Sequence, residues 1–550
     1  MASVTNKVSM ENLVPETSTI KSNRVHKMLL LITAIACIFA VIMMALFVWE
    51  VTKSSSGSGS NSSLGDDSSW PAKKLCPKIP LLLSLPSPLP LDLQKALEDL
   101  DAYLESQVNA NGLPAISASL FYKNRTFWTG HYGTKTIGGE RPNDNTVYRI
   151  GSITKVFAVL MLYKMFEQGL IDSMDDPLSK YAPNFHINNP FNGENITLRQ
   201  MASQMSGLPR EAPCVTCVSN ETTTEQLILL KNRSLVVEPG TIASYSNLGY
   251  ALLGRILTEK INITFERWTM ETLLTPLGLK NTGFHINKDL QKNVAFSYDK
   301  AGKIMPFMDI GWLSPAGQMY STINDMSSFG MFLVGNKNKD FLKKSSLREI
   351  LAPVYISPDG QTIVGSPWEM VFHKNFLVRT KGGNIDNYLT MLSVVPEMEF
   401  GFNVFISSLA NMTAGIMNEI LDRVYRNVLP VFNQTLAEVN TKRTFHGNAE
   451  IFCGNYNATQ IDVITGASRN FSVTIRKTRG PSLEFRSVAL RISLYYIKDD
   501  SVLQGRRDMG TCLSQMLSAT VDVYFRPTSN GNSPGFNIPG DGIVAFRVPG

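Results

Sequence analysis

The sequence predicts an α+β fold, and three stretches carry the prediction. Ala115–Tyr122 and Thr126–Tyr132 read as two strands joined through Lys123-Asn124-Arg125, a hairpin. Ile153–Gln168, ITKVFAVLMLYKMFEQ, is apolar around most of its circumference, as expected of a helix enclosed on nearly all sides, and Gly169 supplies its stop. Leu389–Val395 and Gly401–Ser407 read as a further strand pair, followed by a helix from about Ala414 to Val428.

From the N-terminus onward the elements fall into five regions. Residues 1–27 form a short tail. Met28–Trp49, MLLLITAIACIFAVIMMALFVW, runs without a charge, long enough at about 1.5 Å per residue to cross a hydrocarbon core of about 30 Å. A cleaved signal peptide has a shorter apolar run and a small-residue cleavage site, so a transmembrane helix is expected. Lys21, Arg24 and Lys27 precede the span while Lys53 alone follows closely, which places the tail in the cytosol and the rest of the chain outside or in a lumen. Residues 50–90 form a stalk, first Gly/Ser-rich and flexible, then proline-rich and extended. The globular region spans 91–435 and opens on a helix, LDLQKALEDLDAYLESQV, which ends before the turn signal Asn109-Ala-Asn111-Gly112. Residues 440–550 form a β-rich module of short alternating stretches such as Phe471–Ile475, Val488–Ile497 and Thr520–Phe525. An adhesion or lid role, controlling access to a cleft, is one reading of that module.

Composition agrees with a large extracellular globular protein. The chain has 550 residues, 43% of them hydrophobic and 18% charged, and a net charge of +6 spread over many short stretches, which argues against nucleic acid as a partner. Asn-x-Ser/Thr acceptors occur at Asn61, Asn124, Asn195, Asn220, Asn232, Asn262, Asn411, Asn433, Asn457 and Asn470, all past the apolar span. Cys37 sits in the span, leaving Cys76, Cys214, Cys217, Cys453 and Cys512 in an oxidising compartment. Cys453 with Cys512 and Cys214 with Cys217 are candidate disulfides, with Cys76 then free or joined to a second chain as a disulfide-linked dimer. Zinc is the competing reading of Cys214-Val-Thr-Cys217, but no second Cys or His pair at ligand spacing accompanies it. No metal or other cofactor is expected. The histidines His131, His186, His285, His373 and His446 are scattered and read as structural.

The chemistry concentrates at Tyr148-Arg-Ile-Gly-Ser152-Ile-Thr-Lys155. Residues i and i+3 share a helix face, so the hydroxyl of Ser152 and the amine of Lys155 point into one cleft. The unpaired N–H groups of a helix N-terminus favour charge developing on a substrate carbonyl, and burial lowers a lysine pKa far enough for it to act as a base. The spacing alone is weak, since Ser18-Thr-Ile-Lys21 repeats it in the tail; the apolar helix that buries Lys155 sets the first pair apart. Tyr245-Ser-Asn247 opens another apolar helix and offers a phenol for proton relay and an amide for a substrate. Lys381-Gly382-Gly383 lies just ahead of the strand near Tyr388, where two glycines let a substrate backbone approach an edge strand and a lysine suits a carboxylate. No His-x-x-x-His pair, Gly-x-Ser-x-Gly elbow or phosphate-cradling loop competes with these.

In order and approximate spacing, the three motifs resemble those of serine beta-lactamases and penicillin-binding DD-peptidases, over about residues 92–430. Met205-Ser-Gly-Leu-Pro209 and Ser314-Pro-Ala-Gly-Gln-Met-Tyr-Ser-Thr-Ile-Asn-Asp325 are similar to the class C branch and its esterase relatives, and the whole chain to animal beta-lactamase-like membrane proteins. The resemblance implies an antiparallel sheet flanked by helices, with a helical subdomain and a cleft between them. It also implies a serine hydrolase, an amidase, peptidase or esterase acting on a small amide, peptide or ester. Ser152 would be acylated, Lys155 would deprotonate it, Tyr245 would shuttle the proton and Asn247 would position the acyl side. The backbone N–H groups of Ser152 and Asn384 would form the oxyanion hole, and Lys381 would hold a carboxylate or support Tyr245. Gly382 departs from the pattern, standing where many members carry Thr or Ser, which places carboxylate recognition in question. The alternative is a catalytically silent binding or receptor module that keeps the cleft as a pocket.

Overall fold

The computed structural model describes residues 84–549, apart from 214–221, 410–414, 443–447, 497–501, 507–519, 527–530 and a few shorter stretches. The expected membrane span Met28–Trp49 lies outside the described residues, as do Cys76, Cys214, Cys217 and Cys512. Among the described residues no helix is long and apolar enough to cross a membrane.

Helix α1 (Leu91–Asn111) buries Leu93, Leu97, Leu100 and Leu104, a stripe at helical spacing. It takes in Asn109–Asn111 of the expected turn and stops at the turn's last residue, Gly112, whose φ of 59° lets its N–H reach the Val108 carbonyl. Strands β1 (Ala115–Tyr122) and β2 (Arg125–Gly133) form the hairpin, and β3 (Tyr148–Arg149) follows. Next come α2 (Thr154–Glu167), α3 (Asn247–Glu259), the short β4 (Tyr320–Ser321) paired with β3, and α4 (Ile323–Leu333). Then β5 (Pro353–Ile356), β6 (Ile363–Gly365), β7 (Glu369–His373), β8 (Phe376–Ile385), β9 (Tyr388–Val395) and β10 (Phe400–Ser407) complete one antiparallel sheet, ordered β2-β1-β10-β9-β8-β7-β6-β5.

Both faces of β1 and β10 within this sheet are covered, and the period of two in β1 assigns its side chains to two cores. In β1, Ile116, Ala118, Leu120 and Tyr122 join α1 and the helices after Gly415. Ala115 and Phe121 join a second core around α2, α3 and α4, while Ser119, on that same side, hydrogen-bonds Ser327 of α4 at 2.7 Å. Helix α2 buries eleven of its fourteen residues, so its all-round apolar sequence reflects a position at the centre of the helical layer.

Residues 454–547 form a closed antiparallel barrel: β11 (Gly454–Ile461), β12 (Ser468–Lys477), β13 (Ser482–Ser487), β14 (Arg491–Tyr496), β15 (Val502–Arg506), β16 (Thr520–Phe525), β17 (Gly535–Ile538) and β18 (Ile543–Arg547), with β18 returning to β11. Closure removes the free edges that an open sheet of such strands would expose. Its interior is filled by Tyr456, Phe485, Leu494, Leu503, Val523 and Phe536, leaving it a packed core. Cys453 is half-buried against this core, where burial raises its pKa; among the described residues it has no disulfide partner, and its expected partner Cys512 lies outside them.

Candidate active site

Ser152 lies in a tight turn, Gly151–Ile153, that feeds directly into α2. Gly151 takes a φ of 50°, and a Cβ there would stand 2.8 Å from the backbone nitrogen of Asn384. A Cβ at Gly383 would overlap the Ile150 carbonyl oxygen. The nucleophile turn and β8 therefore meet backbone to backbone, which only glycine at both positions permits. This corrects the expectation for Gly383, whose missing side chain makes room for the Ile150 carbonyl, not for a substrate. A Cβ at Gly382 would meet only ordinary contacts, with Met391 Cε at 3.4 Å and the Thr390 carbonyl oxygen at 3.9 Å. The edge reading is corrected as well: Lys381–Gly383 lie inside β8 and not ahead of a strand, and β9, the strand from Tyr388, is flanked by β8 and β10. β8 is internal, but β7 ends at Glu369 opposite Thr380, so Lys381–Ile385 pair with β9 alone.

Stitching around the turn is dense. Thr390 on β9 donates to the Ile150 carbonyl at 3.0 Å, the Ile150 N–H reaches the Met319 carbonyl at 2.9 Å, and Thr154 Oγ1 donates to the Gly151 carbonyl at 2.7 Å. Behind it, Arg149 pairs with Asp386 at 2.9 Å, both nearly inaccessible, tying β3 to the turn between β8 and β9.

Lys155 is completely buried. Its Nζ donates to Asn247 Oδ1 and to the Ala316 carbonyl, each at 2.7 Å, and lies 3.1 Å from Ser152 Oγ. Two directions of the amine are thus committed to fixed acceptors, and the third faces the serine. As an ammonium it donates there; as a neutral amine it turns a lone pair toward the hydroxyl. Burial lowers the Lys155 pKa to about 8, with the charge of Lys381 acting the same way and Tyr245 opposing it. Tyr245 Oη donates to Ser152 Oγ at 2.7 Å. Burial would raise its pKa, but Lys155 and Lys381 outweigh that and hold the phenol below its ordinary value. Lys381, also buried, is pulled down by desolvation and more than restored by Glu369, whose Oε1 lies 2.7 Å from Nζ, and by Tyr245.

Two residues that complete the site, Glu211 and Glu369, carry no local sequence signal. Glu211 accepts from Asn247 Nδ2 through both oxygens, at 2.9 and 3.0 Å, which turns the Asn247 oxygen toward Lys155. The Asn247 amide is therefore committed on both ends, in contrast to the expectation that it positions a substrate acyl group. Glu369 caps Lys381, and Ala316 supplies a carbonyl from Ser314-Pro-Ala-Gly. Each acts across a fold contact: Glu211 is 36 residues from Asn247, and Ala316 is 161 from Lys155.

The cleft in front of Ser152 has a volume of about 1330 Å³ and is lined by Arg210, Tyr245, Asn247, Glu369, Lys381–Asn384, apolar Met391 and Leu389, and His373. Of the histidines, His373 stacks on Tyr425 and its pKa is lowered by burial. His131 bridges Ser117 at 2.9 Å and Asp144 at 2.8 Å on the sheet, away from these groups. His186 and His285 lie outside the cleft lining, and His446 outside the described residues. Among the described residues no cluster of three metal-ligating side chains forms.

Comparison with known proteins places this geometry. The Beta-lactamase family profile matches residues 100–425. A human protein, beta-lactamase-like 1, is 33% identical over 500 residues, covering 86% of this chain and 98% of its own. Beta-lactamase-like protein 2 of Dictyostelium discoideum is 32% identical over 389 residues, 67% of this chain and 70% of its own. The fold is similar to that of the octameric penicillin-binding protein homologue of Pyrococcus abyssi, at 18% identity and a TM-score of 0.53, covering 82% of this chain and all of that one. It is also similar to a class C beta-lactamase of Rhodobacter sphaeroides, at 19% identity and a TM-score of 0.51, covering 60% of this chain and 99% of that one. With a serine and a buried lysine one helical turn apart, and a family match extending across more than half of its length, the chain belongs to the beta-lactamase family.

Proposed function

We propose that the protein is a membrane-anchored, extracellular serine hydrolase that acts through an acyl-enzyme on a small amide, peptide or ester. The observation that carries this reading is the fully buried Lys155 amine 3.1 Å from the Ser152 hydroxyl, with the Tyr245 phenol 2.7 Å from the same oxygen. Neutral Lys155 takes the Ser152 proton as Oγ attacks the substrate carbonyl carbon, and the carbonyl oxygen becomes an oxyanion facing the backbone N–H groups of Ser152 and Asn384. Collapse expels the amine or alkoxide leaving group, which takes a proton through Tyr245. A water then repeats the sequence on the acyl-enzyme, releasing the acid and restoring Ser152. Lys381 keeps positive charge beside Tyr245, 5.4 Å from its ring, which favours the phenolate in the relay.

Labelling of the full-length protein by a fluorophosphonate, with the adduct located by mass spectrometry, tests this directly. Label on Ser152 that disappears in Ser152→Ala is expected; an unlabelled Ser152 alongside an intact fold would sink the reading and favour a silent binding pocket.

Support for the anchor and its orientation comes from the charge-free run Met28–Trp49 and its one-sided basic flank. Of the glycosylation acceptors, Asn124, Asn195, Asn232, Asn262, Asn457 and Asn470 are exposed. Asn433, by contrast, is half-buried in a helix with its amide oxygen enclosed and unpaired. Cell-surface protease accessibility and a glycosidase-dependent mobility shift test the topology, and comparison of reducing with non-reducing gels tests a dimer through Cys76.

A further inference from the structure

We infer that Glu369 sets the substrate class of this cleft: bound to Lys381, it holds the place a substrate carboxylate would take, so the protein selects esters or amides with a neutral or cationic leaving-group side. This rests on the hydrolase reading above. Lys381 is only 2% exposed, and its Nζ contacts Glu369 Oε1 at 2.7 Å and the Gly382 carbonyl at 3.1 Å. No approach of an external anion to that ammonium is open without displacing Glu369.

Glu369 itself is about half exposed, with a side-chain accessibility of 47%, and it lines the cleft next to Ser152, Tyr245 and Gly382. It is the first residue of β7, the point where that strand leaves β8, and its side chain reaches Lys381 at the start of the segment Lys381–Ile385 that pairs with β9 alone. Gly382 offers that edge no hydroxyl with which to bind an anion. A carboxylate brought to Lys381 would meet an existing negative charge and find that ammonium already paired, a repulsive element of the kind that builds specificity. A carbinol, carboxamide or amine would instead find a carboxylate oxygen as acceptor.

A matched series of phenyl butyrates, bearing 4-carboxy, 4-carbamoyl or 4-aminomethyl groups on the phenol, tests the inference with the full-length protein. Comparing each variant with the wild type on the same ester cancels the intrinsic reactivity of the phenols. The wild type should have a kcat/KM for the carboxy ester at least about tenfold below that for the carbamoyl ester, the scale of a lost charge-assisted contact. Glu369→Gln should raise the carboxy/carbamoyl ratio about tenfold, mostly through KM, and lower turnover of the aminomethyl ester. Glu369→Asp, which keeps the charge, should retain the wild-type preference.

An unchanged ratio in Glu369→Gln, with the carbamoyl ester still hydrolysed, overturns this inference and leaves the hydrolase reading standing. Failure of the wild type to hydrolyse any of the three, with Ser152 unlabelled, overturns both. A second measurement needs no variant: 3-carboxyphenylboronic acid should bind the wild type at least about tenfold more weakly than its carboxamide counterpart, and equal or tighter binding overturns the inference even if Glu369→Gln does not fold.

Discussion

Raising pH from 6 to 10 should switch on acylation of Ser152 with a midpoint near 8. Lys155 ordinarily titrates at 10.5, and burial in this site brings it to about 8. At pH 7 the neutral amine is then about 10% of the population, against about 0.03% for an ordinary lysine, roughly a 300-fold enrichment of the form able to accept a proton. The acylation rate should climb nearly tenfold per pH unit up to about 7.5 and level off above 8.5. Lys155→Met should lower it about 10² to 10⁴-fold and abolish the dependence. The assay is the second-order rate constant of fluorophosphonate labelling of the intact protein, read by gel fluorescence at each pH and corrected for probe hydrolysis. A flat profile between pH 6 and 9, or a Lys155→Met variant retaining more than a tenth of the rate, would refute the reasoning.

The same group leaves a signature in stability. Its folded-state pKa is depressed, so the penalty of burying the ammonium, about 3 kcal/mol, is fully present below pH 8 and is relieved as pH rises toward 10.5. Thermal melts should therefore show the wild type gaining stability relative to Lys155→Met between pH 8 and 10. Glu211→Ala frees the Asn247 amide to rotate and should slow Ser152 labelling about tenfold, the scale of one charge-assisted hydrogen bond, while leaving the global melt little changed. Gly383→Ala drives a methyl into the Ile150 carbonyl and should cost about 3 kcal/mol, whereas Gly382→Ala, which comes no nearer than 3.4 Å to any neighbour, should cost under about 1 kcal/mol. Urea unfolding of the pair gives both values. Asp386→Ala strands the buried Arg149 guanidinium and should destabilise by about 3 to 5 kcal/mol in the same assay.

What could be read in the sequence was whatever lies within a turn or two of itself. Ser152 and Lys155 are three residues apart on one buried helix, so their meeting follows from helical geometry, and the alternation in Ala115–Tyr122 places that strand to the residue. The region around Val424–Val428 was less legible. There the expected helix ends at Arg423, passes through one wider turn and continues from Leu429 to Lys442, because its apolar face follows α1 and the sheet, a tertiary demand with no local marker. Barrel closure was likewise hidden, since the return of β18 to β11 joins residues about 85 apart. Glu211 and Glu369 look in the sequence like any two surface carboxylates. Only the fold shows that one orients the amide beside Lys155 and the other forms an ion pair with Lys381.

The touching glycines, Gly151 and Gly383, have a mechanical corollary. Because sheet and helical layer are welded where the nucleophile sits, with Ile150 held from both sides, any breathing of the cleft must hinge about that weld. The reactive oxygen therefore stays at the stationary point of the motion while the distant rim swings. Amides of Ile150–Ile153 should exchange their hydrogens only through global opening, even as the rim exchanges through smaller, local excursions.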